Sequence, residues 1–191
     1  MVGAREQDGV KYVTVLNDNR QAGPYTEWTQ KPNWHPYGKE QSAHVSILAP
    51  VASVVYDFTT SKQIPADYAN GHLDLTVDLP AVGGVVLCVY PREFGKVAVT
   101  PTGAYTRGTP GTIEIALPDA MGKPLAGWQL VDVEITDPAG QPHDESGYYR
   151  LTGGKVTLPF RPALNESAGA WHVKVTERCS GLSASAVLTV K

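Results

Sequence analysis

Residues 128–191 read WQLVDVEITDPAGQPHDESGYYRLTGGKVTLPFRPALNESAGAWHVKVTERCSGLSASAVLTVK, and no other stretch constrains the fold as strongly. Four or five short runs alternate apolar and polar residues, and Gly, Pro, Asn or Asp closes each run. Side chains on a strand point alternately to the two faces of its sheet. The pattern therefore predicts a half-buried antiparallel sheet. No helix-length window in the chain carries a 3.6-residue apolar period, so the expected class is all-β.

Upstream, residues 10–17 (VKYVTVLN), 43–49 (AHVSILA), 51–58 (VASVVYDF) and 72–79 (HLDLTVDL) also read as strands. In the last of these Leu73, Leu75, Val77 and Leu79 face one way, and His72, Asp74, Thr76 and Asp78 the other. Residues 85–90 are almost continuously apolar, as expected of a central strand covered on both faces. Residues 59–71 read as a polar connection with one helical turn near 65–68. The run PREFGK at 91–96 combines Pro, Gly and three charges, and a new rhythm starts after it. A chain of 191 residues suits two β-sandwich lobes of about 100 residues each. The expected lobes are 1–94, with a long aromatic loop at 24–41, and 95–191.

The charges argue against two partner classes. Sixteen basic and nineteen acidic residues leave a net charge of -3, scattered without a basic run, so nucleic acid is not an expected partner. No stretch approaches the roughly 18–20 apolar residues that span a bilayer, so membrane insertion is not expected. Residues 1–9 lack the apolar core of a signal peptide. An excised piece of a larger protein is the expected context, and the missing signal then says nothing about localisation. Cys88 lies inside GGVVLCVYP and Cys179 in the other lobe. Cys88 is expected to be a buried free thiol; a disulfide between the lobes is the alternative, with no spacing signature behind it.

The motifs of catalysis are sparse. Asp132 and Glu134 share one strand face, as do Asp74 and Asp78. Glycoside hydrolysis needs two carboxyls facing each other across a sugar, about 5–10 Å apart, whereas neighbours on one solvent face mainly keep a strand soluble. No G-x-S-x-G elbow occurs, Ser146-Gly147 and Ser180-Gly181 read as turns, and Cys179 has no evident base. His35, His44, His72, His143 and His172 lack paired zinc spacing. The polar loop at 137–145, with His143-Asp144-Glu145, and residues 17–19 are weak oxygen-ligand candidates for calcium. Gly83-Gly84 and Gly153-Gly154 read as hairpin turns without a following helix, not as phosphate cradles. Asn165-Glu166-Ser167 fits the N-glycosylation sequon, a match expected to be coincidental.

One segment resists a period-based reading. Residues 24–41, PYTEWTQKPNWHPYGKEQ, hold Tyr25, Trp28, Trp34, His35 and Tyr37 among three prolines. A loop this long is usually functional. Tyr25, Trp28, Trp34 and Tyr37 could cap the open end of the first lobe, anchor a neighbouring domain, or stack on sugar rings.

The second lobe shows DPAG, GYY, GGKVTLPF, AGAWHVKVTE and SGLSASAVLTV in that order. Over about residues 97–191 it resembles bacterial immunoglobulin-like and macroglobulin-type β-sandwich modules. The antibody pair of cysteines around a Trp is absent. The first lobe, with YVTVLNDNR, VVYDF and LDLTVDLPAVGGVVLCVYP, resembles accessory β-domains of large bacterial secreted enzymes, glycoside hydrolases among them. These resemblances imply a non-catalytic structural or interaction module, secreted or in the cell envelope (extracellular or periplasmic), with neighbouring domains of a parent protein as partners. No metal, cofactor or catalytic residue is expected. The competing expectation is a carbohydrate-binding module that meets polysaccharide through the aromatic loop.

Overall fold

The computed structural model describes residues 1–19 and 38–191. Among these the protein is all-β, with fifteen strands and no helix. The chain divides into two compact units, Met1–Glu6 with Lys11–Pro91 and Gln7–Val10 with Arg92–Lys191.

The first unit contains all but the last residue of β1 (Val2–Gln7), all but the first of β2 (Val10–Asn17), and β3 (Gln41–Leu48), β4 (Val54–Asp57), β5 (Lys62–Ile64), β6 (Asp67–Ala69), β7 (His72–Leu79) and β8 (Gly83–Tyr90). They form a five-stranded sheet, order β1-β2-β8-β4-β5, and a three-stranded sheet, order β3-β7-β6. β8 is central, paired with β2 on one side and β4 on the other, as its apolar run predicts. The apolar faces of the two sheets meet in one core that includes Val13, Val45, Leu73, Leu75, Val77 and Leu87. The Leu-x-Leu-x-Val-x-Leu alternation of β7 is thus realised, with the four apolar side chains buried.

Two readings are corrected. Residues 59–71 contain no helical turn; β5 and β6 occupy them. Asn70 and Gly71 both have positive φ, 51° and 80°, which closes a tight two-residue hairpin between β6 and β7. The strand expected over 51–58 is confined to Val54–Asp57.

The second unit contains β9 (Ala98–Pro101), β10 (Gly111–Ala116), β11 (Trp128–Thr136), β12 (Gly147–Thr152), β13 (Lys155–Phe160), β14 (Gly169–Glu177) and β15 (Ser183–Val190). The strand order is β15-β14-β11-β12-β13-β10-β9. β12 and β13 pair only at their hairpin, Thr152 with Lys155, so the sheet folds over there onto itself. The inward residues of the two halves, among them Ile113, Ile115, Val131, Val133, Leu158 and Val173, are buried at 1% exposure or less. At the outer edges Tyr105 makes a parallel bridge to Val190. Its amide donates to the Thr189 carbonyl, and the Lys191 amide donates to the Tyr105 carbonyl. This tie pairs the C-terminal end of β15, where an edge strand would otherwise offer unpaired backbone groups to other chains.

Candidate functional site

A catalytic or ligand site needs polar groups that face outward together, so the question for each candidate is what it already holds. Three carboxylates are buried among the described residues, Asp57, Asp119 and Glu177. Each turns back on its own loop. Asp57 ends β4, where Oδ1 accepts the Thr59 amide and Oδ2 the Thr60 hydroxyl, both at 2.8 Å. Asp119 accepts the Met121 amide at 2.9 Å and the Lys123 amide at 2.7 Å on Oδ1, and Arg92 Nη1 at 2.7 Å on Oδ2. The Arg92 hydrogen bond, then the Lys123 amide, hold its carboxyl below the ordinary aspartate range. Glu177 accepts the Cys179 amide, the Ser180 amide at 2.7 Å and the Ser180 hydroxyl at 2.6 Å. These bonds pin the β14–β15 hairpin from inside. Burial outweighs the donors and pushes this carboxyl above its ordinary value.

The raised value has a consequence for stability. The folded state holds the Glu177 proton more tightly than the unfolded chain does. The stabilisation is complete below the ordinary glutamate range, about pH 4.3. It is lost as the pH rises through the raised folded value. Urea unfolding of the wild type and Glu177→Gln, followed from about pH 4 to pH 8, should show the wild type losing stability relative to the variant on the way up. Parallel profiles would show that Glu177 does not titrate in that window. Asp119 carries the opposite sign: its contribution is present above the aspartate range and falls away on acidification.

His143 is the most enclosed histidine of the second unit. Its Nδ1 lies 3.3 Å from Glu145 Oε2, and its Nε2 lies 3.3 Å from Glu166 Oε1. The two carboxylates grip opposite sides of the ring and do not converge on a common point. The ring packs edge-to-face against Phe160 at 5.2 Å and Trp171 at 5.3 Å between centroids. Glu166 also accepts the Ala163 amide. The cluster thereby clamps the loop after β13 over an aromatic core, in which Tyr105 also meets Phe160 edge-to-face at 5.0 Å.

The remaining sequence candidates fall on surfaces and turns. Glu134 pairs with Lys174 at 3.3 Å with both side chains exposed, a contact worth roughly 0–1 kcal/mol. Asp132 sits opposite Tyr148 and Thr176. Asp78 accepts the Ser42 hydroxyl, and Asp74 faces Asp67 and Ser46 across the three-stranded sheet. Asp67 and Asp74, with His44, Ser53, Gln63 and Thr76, border an open groove of about 480 Å³. The two acids are neighbours on one face and do not oppose each other across the groove.

Of the calcium candidates, Asp137 spends Oδ1 on the Ala139 and Gln141 amides, and Asn17 donates to the Lys39 and Pro80 carbonyls. Among the described residues no group of three or more His, Cys, Asp or Glu is placed to hold a metal ion. Ser146 is bound through its hydroxyl to both the amide and the carbonyl of Ile135. Cys88 and Cys179 are buried, and neither is joined in a disulfide. The aromatic candidates Tyr25, Trp28, Trp34 and Tyr37 lie outside the described residues.

Sequence reasoning passed over Asp119, Glu166 and Glu177. Asp119 was detectable: Asp119-Ala120-Met121-Gly122-Lys123 repeats the spacing of Asp137-Pro138-Ala139-Gly140-Gln141. In both, the acid takes the amides two and four residues on.

No protein-family model matches the chain, and no curated protein matches it in sequence. The structure of Bacteroides uniformis β-glucuronidase 2 covalently bound to cyclophellitol-6-carboxylate aziridine and a crystal structure of Bacteroides uniformis β-glucuronidase are each similar at 12% identity and a TM-score of 0.32. Each alignment covers 95% of this chain and 26% of the other. A candidate β-galactosidase from Bacteroides fragilis is similar at 13% identity and a TM-score of 0.29, over 94% of this chain and 32% of the other. The chain thus spans less than a third of each of these three chains, and no residue role is carried over from them.

Proposed function

We propose that this chain is a non-catalytic structural or interaction module of a larger secreted or cell-envelope bacterial protein, built as two β-sandwich units of immunoglobulin-like type. The observation that carries the reading is the use made of buried charge. Asp57 and Glu177 each spend their carboxylate on the loop that follows them, and Asp119 divides its own between the following loop and Arg92. An enzyme must keep acids and bases poised toward substrate, with at least one pair within reach of the reacting atoms. Here the buried acids hold the turns and connections next to them, which is scaffold chemistry. The sandwich reading is supported by two facing apolar sheets in the first unit and by the single Thr152–Lys155 rung at which the second unit's sheet folds over. The envelope location rests on the sequence resemblance.

Incubation of the purified chain with nitrophenyl glycosides and esters should release no nitrophenol above the buffer blank. Turnover that survives repurification and disappears in Asp67→Asn or Asp74→Asn would sink the proposal and make the groove an active site.

A further inference from the structure

We infer that the outward face of β12, β11 and β14 in the second unit is a docking surface for an acidic polypeptide segment. The inference rests on the reading of the chain as an interaction module and names the surface and the chemistry of its partner. β11 presents Trp128, Leu130 and Asp132 outward, alternating with buried Gln129, Val131 and Val133. β12 presents Tyr148 and Arg150. Register places Arg150 opposite Leu130. On the other side of β11, Arg178 donates its amide to the Leu130 carbonyl at 2.9 Å. Leu130 is therefore flanked by an arginine on each side, with Trp128 two residues away along the strand. Trp128 and Tyr148 are 43% and 64% exposed, which is much for such large rings.

The Arg150 guanidinium lies over the Trp128 ring, 4.6 Å from its centroid. Stacking occupies the flat face of the guanidinium and leaves its in-plane N–H donors directed sideways. That edge matches a carboxylate in a bidentate pair. The ring also holds the long side chain in place, so less rotamer freedom is lost on binding. Trp, Tyr and Arg around a half-buried leucine are the residue types that dominate binding at protein interfaces. Asp132 and the Lys174–Glu134 pair lie toward the other end of β11, so the cationic character is concentrated at the Trp128 end. A sugar would need the ring face that the guanidinium covers, which favours a peptide carboxylate over a glycan.

Nuclear magnetic resonance titration of the whole chain tests this with three probes: a short Glu/Leu peptide, its Gln/Leu counterpart and an oligogalacturonate. The Glu/Leu peptide should shift the Trp128 indole N–H and the Tyr148 and Arg150 signals saturably, and the shifts should weaken with salt. Arg150→Gln should weaken binding roughly tenfold, and Tyr148→Ala should weaken it as well. Lys62→Glu, on the first unit, should bind as the wild type does. The inference is overturned by equal binding of the Gln/Leu peptide, by oligogalacturonate binding in place of the acidic peptide, by shifts that follow protein concentration alone, or by no saturable shift. Any of these leaves the non-catalytic reading standing, because that reading falls only to turnover.

Discussion

Trp171→Ala is expected to lower the unfolding free energy of the second unit by about 3–5 kcal/mol, the usual range for emptying a large aromatic site in a core. Trp171 is 1% exposed and sits on β14, between β11 and β15. Its ring meets Phe160 edge-to-face at 5.7 Å and His143 at 5.3 Å. Its indole N–H donates to the Ser167 carbonyl at 3.0 Å. Truncation removes all of these contacts at once, and the rings around the site are themselves held by neighbours, so the gap cannot close easily. A domain of this size has a total stability of roughly 5–15 kcal/mol, so the variant should unfold at markedly lower urea. Trp171→Phe should lose roughly half as much, since a ring still fills most of the space and exposed Ser167 can bond to water. Urea unfolding followed by circular dichroism measures both. A loss under about 1 kcal/mol for the alanine variant would contradict this packing.

Gly154→Ala should cost about 3 kcal/mol, for a backbone reason. Gly153 and Gly154 form the β12–β13 hairpin with φ of 61° and 74°. Both angles lie where only glycine sits without penalty. At Gly154 an added Cβ would also overlap the carbonyl oxygen of Leu117. That oxygen is backbone and cannot swing aside, and the Leu117 amide already donates to the Gly154 carbonyl at 2.7 Å. Gly153 has open space around the same position, so Gly153→Asn should cost only about 1 kcal/mol or less. A pair of variants with equal losses would mean that φ alone governs the turn and that Leu117 yields.

The second unit was largely legible because its strands obey a strict period of two. β13 and β15 lie within the GGKVTLPF and SGLSASAVLTV motifs, and Trp171 within AGAWHVKVTE, all of which marked the resemblance. β1 carries no such signal, since nearly every residue in it is exposed and nothing alternates. β5 and β6, at three residues each, are too short for periodicity to register. Their hairpin was nonetheless written in the dipeptide Asn70-Gly71, as the β1–β2 turn was in Asp8-Gly9, both with positive φ. Glu166 escaped for a different reason. It reaches His143 from a separate loop, and only the folded chain brings the two together. The Trp128 face was hidden likewise: Arg150 and Arg178 become neighbours of Leu130 only through register.

The tie between the segment around Tyr105 and the end of β15 also bears on mechanical load. Tyr105, Arg107 and Lys191 join the two segments in parallel by the Tyr105 amide to the Thr189 carbonyl, the Lys191 amide to the Tyr105 carbonyl and the Arg107 amide to the Lys191 carbonyl. When two parallel segments are pulled from opposite ends, their hydrogen bonds are loaded in shear and must rupture together. An antiparallel hairpin pulled open yields one rung at a time. Tension applied along β15 therefore meets this short clasp before it reaches the β14–β15 ladder. Resistance to stretching in that direction should be set by the three-bond patch and not by the far longer hairpin behind it.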